Sequence, residues 1–183
     1  METDKKYKLT DEFITFGDRK LYRIEALKDF SDVKKGDKGG FVESEYNLSQ
    51  KNNCWVYDDA KVYEDAKIFS NARIYGNTKI FWNAEVYDDA KVFGNARIYG
   101  NAKVFGNANV YDNAWVFNNA TIYGNAKVHG NAVVCGNAKV YGNAAVYSNA
   151  EIFSDATVIS DSDYIVFKNW WSSGRCFTWT RSN

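Results

Sequence analysis

Residues 96–107 read ARIYGNAKVFGN, which is one six-residue unit written twice. The same unit repeats without insertion from Cys54 to Asp161 as eighteen hexads. Each hexad has a small residue first, Val or Ile third, usually Tyr or Phe fourth, and Asn or Asp last. The third position is Val or Ile every time, and the first is Ala except at Cys54 and Thr78. A fixed short period of this kind is typical of solenoids, in which each repeat stacks on its neighbours.

The spacing within a hexad places its residues on opposite sides of a strand. Alternate residues of a strand share a face, so the first and third positions point one way and the second and fourth point the other. The second position is often basic, as at Arg97 and Lys103, and burying an unpaired charge is costly. We therefore predict that the Val/Ile column is the core and that the second and fourth positions face outward.

The fifth and sixth positions predict a corner after each short strand. Gly-Asn, as in Gly100 and Asn101, or another polar pair tolerates the left-handed backbone region that a tight corner needs. A corner every six residues gives a triangular coil of three hexads, so residues eighteen apart lie above one another. The predicted fold class is therefore all-β, a left-handed parallel β-helix of about six coils that is roughly 30 Å long.

The segment before the array predicts an N-terminal cap. Residues 1–39 contain alternating apolar and polar residues and are predicted to form a β-hairpin that turns near Gly17 and Asp18. Val42 and Leu48 continue the six-residue period in degenerate form, so we assign the β-helix to residues 40–161.

The period ends after Asp161, and residues 162–183 are rich in Trp and in residues that favour strands. We predict that this segment is a C-terminal cap, because the ends of a solenoid must be covered to prevent edge-to-edge growth. Its Trp residues, which are also candidate contact residues, are Trp170, Trp171 and Trp179.

Composition and charge exclude several classes of protein. Twenty-three basic residues balance twenty-three acidic ones, so no net field attracts nucleic acid or an anionic membrane. The polar residues 1–13 contain no signal-peptide core, and no eighteen apolar residues run together. The three cysteines, Cys54, Cys135 and Cys176, lack C-x-x-C spacing. We expect a cytoplasmic protein with free thiols and no metal, cofactor or membrane partner.

The repeat resembles the hexapeptide-repeat superfamily of left-handed β-helices, in which an aliphatic residue is followed four positions later by a small one, here Val104 and Ala108. This chain departs from that pattern by placing Tyr or Phe after the aliphatic residue. The entry segment YRIEALKDFSDVKKGDKGGFVESEYNLS and the ending YIVFKNWWSSGRCFTWTR resemble small bacterial and phage proteins with A-x-V-Y-G-N repeats. That resemblance implies a phage or prophage context and no assigned activity.

The outward aromatic column is the main candidate functional feature, and it has two interpretations. Stacked rings can stabilise neighbouring coils as ladders, or one face can contact another protein. Trp55 and Trp115 stand at second positions, which are normally charged, and Trp82 stands at a fifth position, which is often Gly. Trp residues that break the repeat in this way favour contact with another protein. The candidate binding residues are Trp55, Lys61, Tyr63, Lys79, Phe81, Trp82, Arg97, Tyr99, Trp115 and Phe117.

The face with Tyr63, Phe81, Tyr99 and Phe117 also carries Lys61, Lys79 and Arg97, a basic and aromatic stripe that resembles surfaces that hold single-stranded nucleic acid. The acidic residues of the N-terminal coils would oppose a phosphate backbone there, so a nucleic-acid partner is not expected. These acidic residues are Asp58, Asp59, Glu64, Asp65, Asp88 and Asp89.

The leading hypothesis is a non-enzymatic, phage- or prophage-borne protein that contacts a host protein, for example as an anti-CRISPR-like inhibitor of a host defence system. An alternative is a homo-oligomeric structural protein that uses the same faces. A second alternative is an acyltransferase, because hexapeptide acyltransferases use a His as general base with acyl-CoA bound in a cleft between subunits. His129 is the only histidine. Since the loops of such a cleft are missing, His129 is interpreted as a structural replacement for Tyr.

Overall fold

The computed structural model describes residues 5–168 and 176–180, with side chains described for residues 5–163. It is an all-β parallel solenoid, which confirms the predicted fold class. The strands that precede the array are β1 (Tyr7–Phe16), β2 (Arg19–Ala26) and β3 (Lys38–Val42). Each hexad of the array then contributes one two-residue strand made of its second and third positions.

These short strands are β4 (Trp55–Val56), β5 (Lys61–Val62), β6 (Lys67–Ile68), β7 (Arg73–Ile74), β8 (Lys79–Ile80), β9 (Glu85–Val86), β10 (Lys91–Val92), β11 (Arg97–Ile98), β12 (Lys103–Val104), β13 (Asn109–Val110), β14 (Trp115–Val116), β15 (Thr121–Ile122), β16 (Lys127–Val128), β17 (Val133–Val134), β18 (Lys139–Val140), β19 (Ala145–Val146), β20 (Glu151–Ile152) and β21 (Thr157–Val158). Short 3₁₀ turns lie at Glu45–Asn47 and Asp161–Asp163, and the chain continues with β22 (Tyr164–Lys168) and β23 (Cys176–Thr180).

Every third strand belongs to the same sheet, as a triangular coil requires. The nine-stranded sheet has the order β1-β2-β3-β5-β8-β11-β14-β17-β20. We call the other two the β4 sheet (β4-β7-β10-β13-β16-β19) and the β6 sheet (β6-β9-β12-β15-β18-β21). Within the array, all neighbouring strands are parallel and pair residues eighteen apart, as Val104 pairs with Val86 and Ile122.

The core is the column of third-position residues flanked by the first-position alanines. The third-position Val and Ile residues are at most 1% exposed, and each Ala from Ala60 to Ala150 in the first position is fully buried. Thr78 replaces Ala in one hexad, and its buried hydroxyl donates a 2.7 Å hydrogen bond to the carbonyl of Tyr75. The prediction of an inward Ala and Val/Ile side is confirmed.

Asparagine ladders line the corners. The amide of Asn101 donates to the carbonyl oxygen of Asn119 at 3.1 Å, and the amide of Asn119 donates to that of Asn137 at 2.9 Å. Gly100 adopts the left-handed region at φ +75°, and a Cβ there would lie 2.7 Å from the backbone nitrogen of Asn118. Close stacking of successive corners therefore explains why glycine recurs at the fifth position.

The N-terminal hairpin turns where the sequence predicted, because Phe16 pairs with Arg19 across Gly17. Its second strand, β2, pairs antiparallel with β3, and β3 pairs parallel with β5. Through β3, and through a bridge from Leu48 to Ile68, residues before the array form a further coil. The solenoid therefore has about seven turns rather than six.

Lys6 closes the N-terminal end of the solenoid. Its side chain is 1% exposed, and its Nζ donates to the carbonyl of Cys54 at 2.8 Å and lies 3.3 Å from the Cys54 Sγ. Burial lowers the pKa of Lys6. The hydroxyl of the neighbouring Tyr7 donates to the carbonyl of Leu48 at 2.6 Å. Together these bonds fix the start of β1 on the first coil.

At the C-terminal end, β22 and β23 form an antiparallel hairpin, and β23 lies next to β20. The predicted cap residues Trp170 and Trp171 fall outside the described residues. The backbone of Trp179 pairs with that of Ile165. Within the described ranges, no helix has the length and apolar character that a membrane crossing needs.

Candidate functional site

The outward aromatic residues form three ladders that run along the solenoid. Rings eighteen residues apart stack with centroid separations from 4.4 Å, between Tyr57 and Tyr75, to 5.6 Å, between His129 and Tyr147. Many of the stacked pairs are within 12° of parallel, as Tyr99 and Phe117 are at 1°. The ladder interpretation of the sequence is therefore confirmed, and these rings stabilise contacts between neighbouring coils.

Two of the predicted binding residues require correction because the N-terminal cap covers them. Trp55 is 1% exposed and lies edge-on to Tyr7 at 6.0 Å and to Phe30 at 5.3 Å. Tyr63 is 7% exposed and packs against Phe16 at 5.5 Å. Both residues therefore belong to the interior of the cap rather than to an exposed binding face.

The cap also engages the first two cations of the predicted basic stripe. The Nζ of Lys61 lies 5.8 Å from the ring centre of Phe41, and its amine donates to the carbonyl of Asp59. The Nζ of Lys79 lies 5.0 Å from the ring centre of Phe16. The Lys79 contact holds the hairpin against the array, and the Lys61 contact joins β5 to the adjacent strand β3. These contacts engage Lys61 and Lys79 within the chain. The predicted basic stripe is therefore interrupted at its N-terminal end.

The remaining candidates leave an open surface on the nine-stranded sheet. Arg97 is exposed, and its guanidinium lies 4.8 Å from the ring centre of Trp115, which is 39% exposed. Phe81, Tyr99 and Phe117 form one continuous half-buried ladder beside them. The structure therefore brings five of the ten array candidates together in one exposed or half-exposed surface.

Trp82 lies beside this ladder, at a corner. It is 50% exposed and has φ +57°, the left-handed region that the fifth residues of other hexads also adopt, whether they are glycine, as at Gly100, or not, as at Asp88. A bulky residue in this region carries backbone strain. Its ring lies edge-on to Phe81 and Tyr99, each at 5.5 Å, and its amide donates to the carboxylate of Glu64 at 2.9 Å.

Trp82 lines two open cavities of about 580 and 440 Å³. A third cavity, of about 520 Å³, lies at another corner and is lined by polar residues. The lining residues of the larger cavity at Trp82 are Arg19, Glu43, Ser44, Tyr46, Glu64, Asp65, Trp82 and Asn83. Arg19 contacts the carboxylates of Glu43 and Glu64 at 2.8 and 3.3 Å. These ion pairs neutralise much of the charge that lines the larger cavity.

His129 has a polar environment that sequence reasoning missed. Its ring stacks between Tyr111 at 4.6 Å and Tyr147 at 5.6 Å on the β4 sheet side of the solenoid. Its Nδ1 lies 3.8 Å from Oδ2 of Asp112, and that oxygen also accepts a 3.0 Å hydrogen bond from the amide of Gly130. The coil length of eighteen residues could have indicated this contact. It places Asp112 beside Gly130, the residue that follows His129.

Burial shifts the pKa of a tyrosine beside His129 and of a cysteine at the N-terminal end of the array. Burial raises the pKa of Tyr111, with a smaller contribution from the Asp112 carboxylate. Burial also raises the pKa of the Cys54 thiol, an effect that the nearby Lys6 opposes. Cys54 and Cys135 are free thiols, as expected, and residues 5–163 contain no cluster of side chains suited to a metal ion.

In a comparison with known proteins, no family model matches the chain. The chain is 40% identical over 62 residues to the Escherichia coli (strain K12) protein named uncharacterized acetyltransferase YdcK. The match covers 30% of this chain and 19% of that protein. This match and the β-solenoid fit the resemblance to hexapeptide-repeat proteins. The prediction of a non-enzymatic protein is therefore wrong, because the similar protein is named as an acetyltransferase.

Proposed function

We propose that the chain is an acyltransferase-like enzyme in which His129 serves as general base. The observation that carries the proposal is the approach of the Asp112 carboxylate to the His129 Nδ1, at 3.8 Å, in a chain similar to a named acetyltransferase. A carboxylate on one ring nitrogen orients an imidazole and stabilises its protonated form, which leaves the other nitrogen to accept a proton. Contacts of this kind are commonly long before substrate binds.

The proposed reaction moves an acyl group from a thioester to a hydroxyl or amine. The Nε2 of His129 takes a proton from the acceptor as its oxygen or nitrogen attacks the thioester carbonyl. The carbon–sulfur bond then breaks, and the imidazolium returns the proton to the departing thiolate. The products are the acylated acceptor and a free thiol, so atoms and charges balance. Asp112 acts as a positioning residue for the base.

The rings of Tyr111 and Tyr147 contribute by holding the imidazole in place. Stacking on both sides restricts the rotation of the His129 ring and keeps its plane parallel to its neighbours, at 2° and 23°. The three cavities described above lie away from this ring. We therefore propose that the thioester binds along the outer surface of this ladder rather than in a preformed pocket of one chain.

The test is turnover of acetyl-CoA by the purified protein with a panel of amine and hydroxyl acceptors. Released CoA is measured by chromatography, because the half-exposed Cys135 would react with a thiol reagent. His129→Tyr is the matched variant. The neighbours of His129 in this column, Tyr111 and Tyr147, are tyrosines, so a tyrosine at residue 129 retains the stacking. A general base contributes roughly 100-fold or more, so turnover should fall at least that far.

Three outcomes bear on the proposal. Asp112→Asn should lower turnover less than His129→Tyr does and should leave the melting temperature nearly unchanged. Wild-type turnover in His129→Tyr would remove His129 from the mechanism. If the wild-type protein consumes no thioester with any acceptor and binds none in calorimetry, acyl transfer itself is rejected.

A second candidate function, contact with a host protein, is supported by Trp82. Trp82 presents a large, half-exposed ring at a corner where other hexads have glycine or a small or polar residue, and Trp is enriched among the residues that contribute most to protein interfaces. Trp82→Gly installs the residue used at eight equivalent corners. We expect the variant to stay folded but to lose site-specific photocrosslinks that a probe at neighbouring Asn83 forms in cells. Unchanged crosslinks would contradict a role for Trp82 in partner binding.

A further inference from the structure

An open trough lies beside the exposed ring of Trp82, at the corner between the nine-stranded sheet and the β6 sheet. It has a volume of about 440 Å³ and spans four successive coils. We call it the Trp82 trough, and its lining residues are Trp82, Asn83, Gly100, Asn101, Asn118, Asn119 and Gly136. Within residues 5–163, the trough therefore offers a ligand one aromatic ring and several neutral amides, and no charged side chain lines it.

The Trp82 ring presents a flat face along the solenoid axis. Phe81 and Tyr99 stack 4.9 Å apart along this axis, within 8° of parallel. The Trp82 ring lies 5.5 Å from each of them and is steeply inclined to both, at 68° and 76°. At this short distance the edges of the two stacked rings meet one face of the indole. The opposite face accounts for the 50% exposure of the side chain and is open to a ligand.

The asparagine ladder leaves hydrogen-bonding groups unused along the trough. The Asn101 side chain accepts a hydrogen bond from Asn83 at 3.1 Å and donates one to Asn119 at 3.1 Å. An asparagine amide has two N–H donors and an oxygen with two lone pairs, so one donor and one lone pair of Asn101 remain for a ligand. The same count holds for Asn119, which donates to Asn137 at 2.9 Å. Successive coils therefore present a donor and an acceptor at an interval of roughly 4.8 Å.

We propose that the Trp82 trough binds an uncharged β-1,4-linked oligosaccharide that runs along the solenoid axis. The C–H face of a pyranose ring stacks on an aromatic ring such as that of Trp82. Sugar hydroxyls both donate and accept hydrogen bonds, as the unused groups of Asn101 and Asn119 do. The coil interval of roughly 4.8 Å is close to the length of one sugar unit in an extended β-1,4-linked chain, so successive units meet successive amides.

The other two corners of the array lack this combination. Asparagine ladders line them as well, but their fifth positions are Gly, Ser or Asp throughout, as at Asp58. The cavity at one of these corners is lined by the charged residues Arg73, Asp89 and Lys91. An exposed aromatic face and a neutral row of amides therefore coincide at the Trp82 corner.

A saccharide and a host protein would compete for the exposed face of Trp82. The neutral lining of the trough favours the saccharide, because the charge complementarity that steers protein partners together is absent there. The site is also separate from the proposed acyl transfer. His129 follows β16 in the β4 sheet, whereas Trp82 lies between the other two sheets, so His129→Tyr should leave saccharide binding unchanged.

Isothermal titration calorimetry with three hexasaccharides tests the proposal. Cellohexaose and chitohexaose are extended β-1,4-linked chains, whereas maltohexaose is a curved α-1,4-linked chain. At least one of the two β-linked chains should bind the purified protein. Maltohexaose should bind at least about tenfold more weakly, because a curved chain cannot follow Trp82 and the ladder together. Since the trough carries no charge, the affinity should be the same at roughly 0.1 and 1 M salt.

Variants of Trp82 test the aromatic face. Trp82→Gly installs the residue found at equivalent corners and should weaken binding at least about tenfold. Trp82→Tyr keeps an aromatic face and should retain most of the affinity. Trp115→Lys is the matched control, because it removes another exposed Trp of the array and installs a residue common at second positions. Its affinity should equal that of the wild type.

Variants of the ladders test the amides. Asn119→Ala removes one donor and one acceptor from the trough and should weaken binding about two- to tenfold. Asn131→Ala breaks the same kind of ladder at another corner, where Asn131 donates to Asn149 at 3.1 Å. This control should bind like the wild type, and far-UV circular dichroism should show that all the variants remain folded.

The proposal is overturned if neither β-linked hexasaccharide binds the wild-type chain, or if Trp82→Gly binds as tightly as the wild type. Binding that weakens strongly with salt would contradict the neutral site. If Trp82→Gly loses the cellular crosslinks at Asn83 and the wild-type chain binds no hexasaccharide, the exposed face of Trp82 belongs to a protein partner and the saccharide site is rejected.

Discussion

Val128→Asp tests the central structural claim, that the third position of each hexad fills the core. Val128 is fully buried and pairs with Val110 and Val146 in the adjoining coils, so the new carboxylate would face apolar side chains. Loss of the buried side chain costs roughly 1.5–3 kcal/mol. Burial of a polar group without a hydrogen-bond partner adds about 2–7 kcal/mol.

The combined cost, about 4–10 kcal/mol, is comparable with the total stability of a typical domain, about 5–15 kcal/mol. At about 2–4 °C per kcal/mol for a chain of this size, the melting temperature should fall by at least about 8 °C. Lys127→Asp is the control, because Lys127 precedes Val128 on the same strand and is exposed. The melting temperatures of the two variants are measured by thermal unfolding, followed by far-UV circular dichroism. If Val128→Asp melts within about 2 °C of Lys127→Asp, the inward column is assigned to the wrong residues.

Two further predictions concern the corners and the tyrosines. Gly100→Ala should destabilise the chain more than Gly17→Ala, because both have positive φ but only the Cβ at residue 100 would clash, at 2.7 Å from the Asn118 nitrogen; equal urea midpoints would contradict this. Burial, followed by the hydrogen bond to Asp32, raises the pKa of Tyr57. The folded state therefore keeps a proton that the unfolded state releases near pH about 10, and stability should fall as the pH rises above that value. Tyr57→Phe should lose about 1 kcal/mol at neutral pH and show a shallower alkaline decline in urea unfolding, whereas a parallel decline would contradict the assignment.

The repeating part of the fold could be predicted because each hexad is locally consistent. An alternating pattern sets which side of the strand faces inward, and a polar pair with Gly or Asn sets the corner, so Val104 and its equivalents could be assigned to the core without any long-range information. Stacking of residues eighteen apart followed from the coil length alone. The ladders therefore appear in the structure where the sequence placed them.

The caps were predicted only in outline, because their contacts join segments that no period relates. Burial of Trp55 depends on Tyr7 and Phe30, which come from the hairpin and from the loop that follows it. Nothing in the spacing of these three aromatic residues indicates that they meet. The same limitation explains why Tyr63, a regular member of its ladder, was assigned to an exposed face when Phe16 in fact covers it.

Departures from the repeat are where functional information can reside in a solenoid of this kind. Identical hexads give every coil the same surface, so a regular residue cannot distinguish one coil from the next. Trp115 and Val133 occupy second positions of their hexads, where charged residues are common. Apolar side chains at these outward positions do not contribute to the core. His129 replaces a ring in its column with one that also accepts a proton.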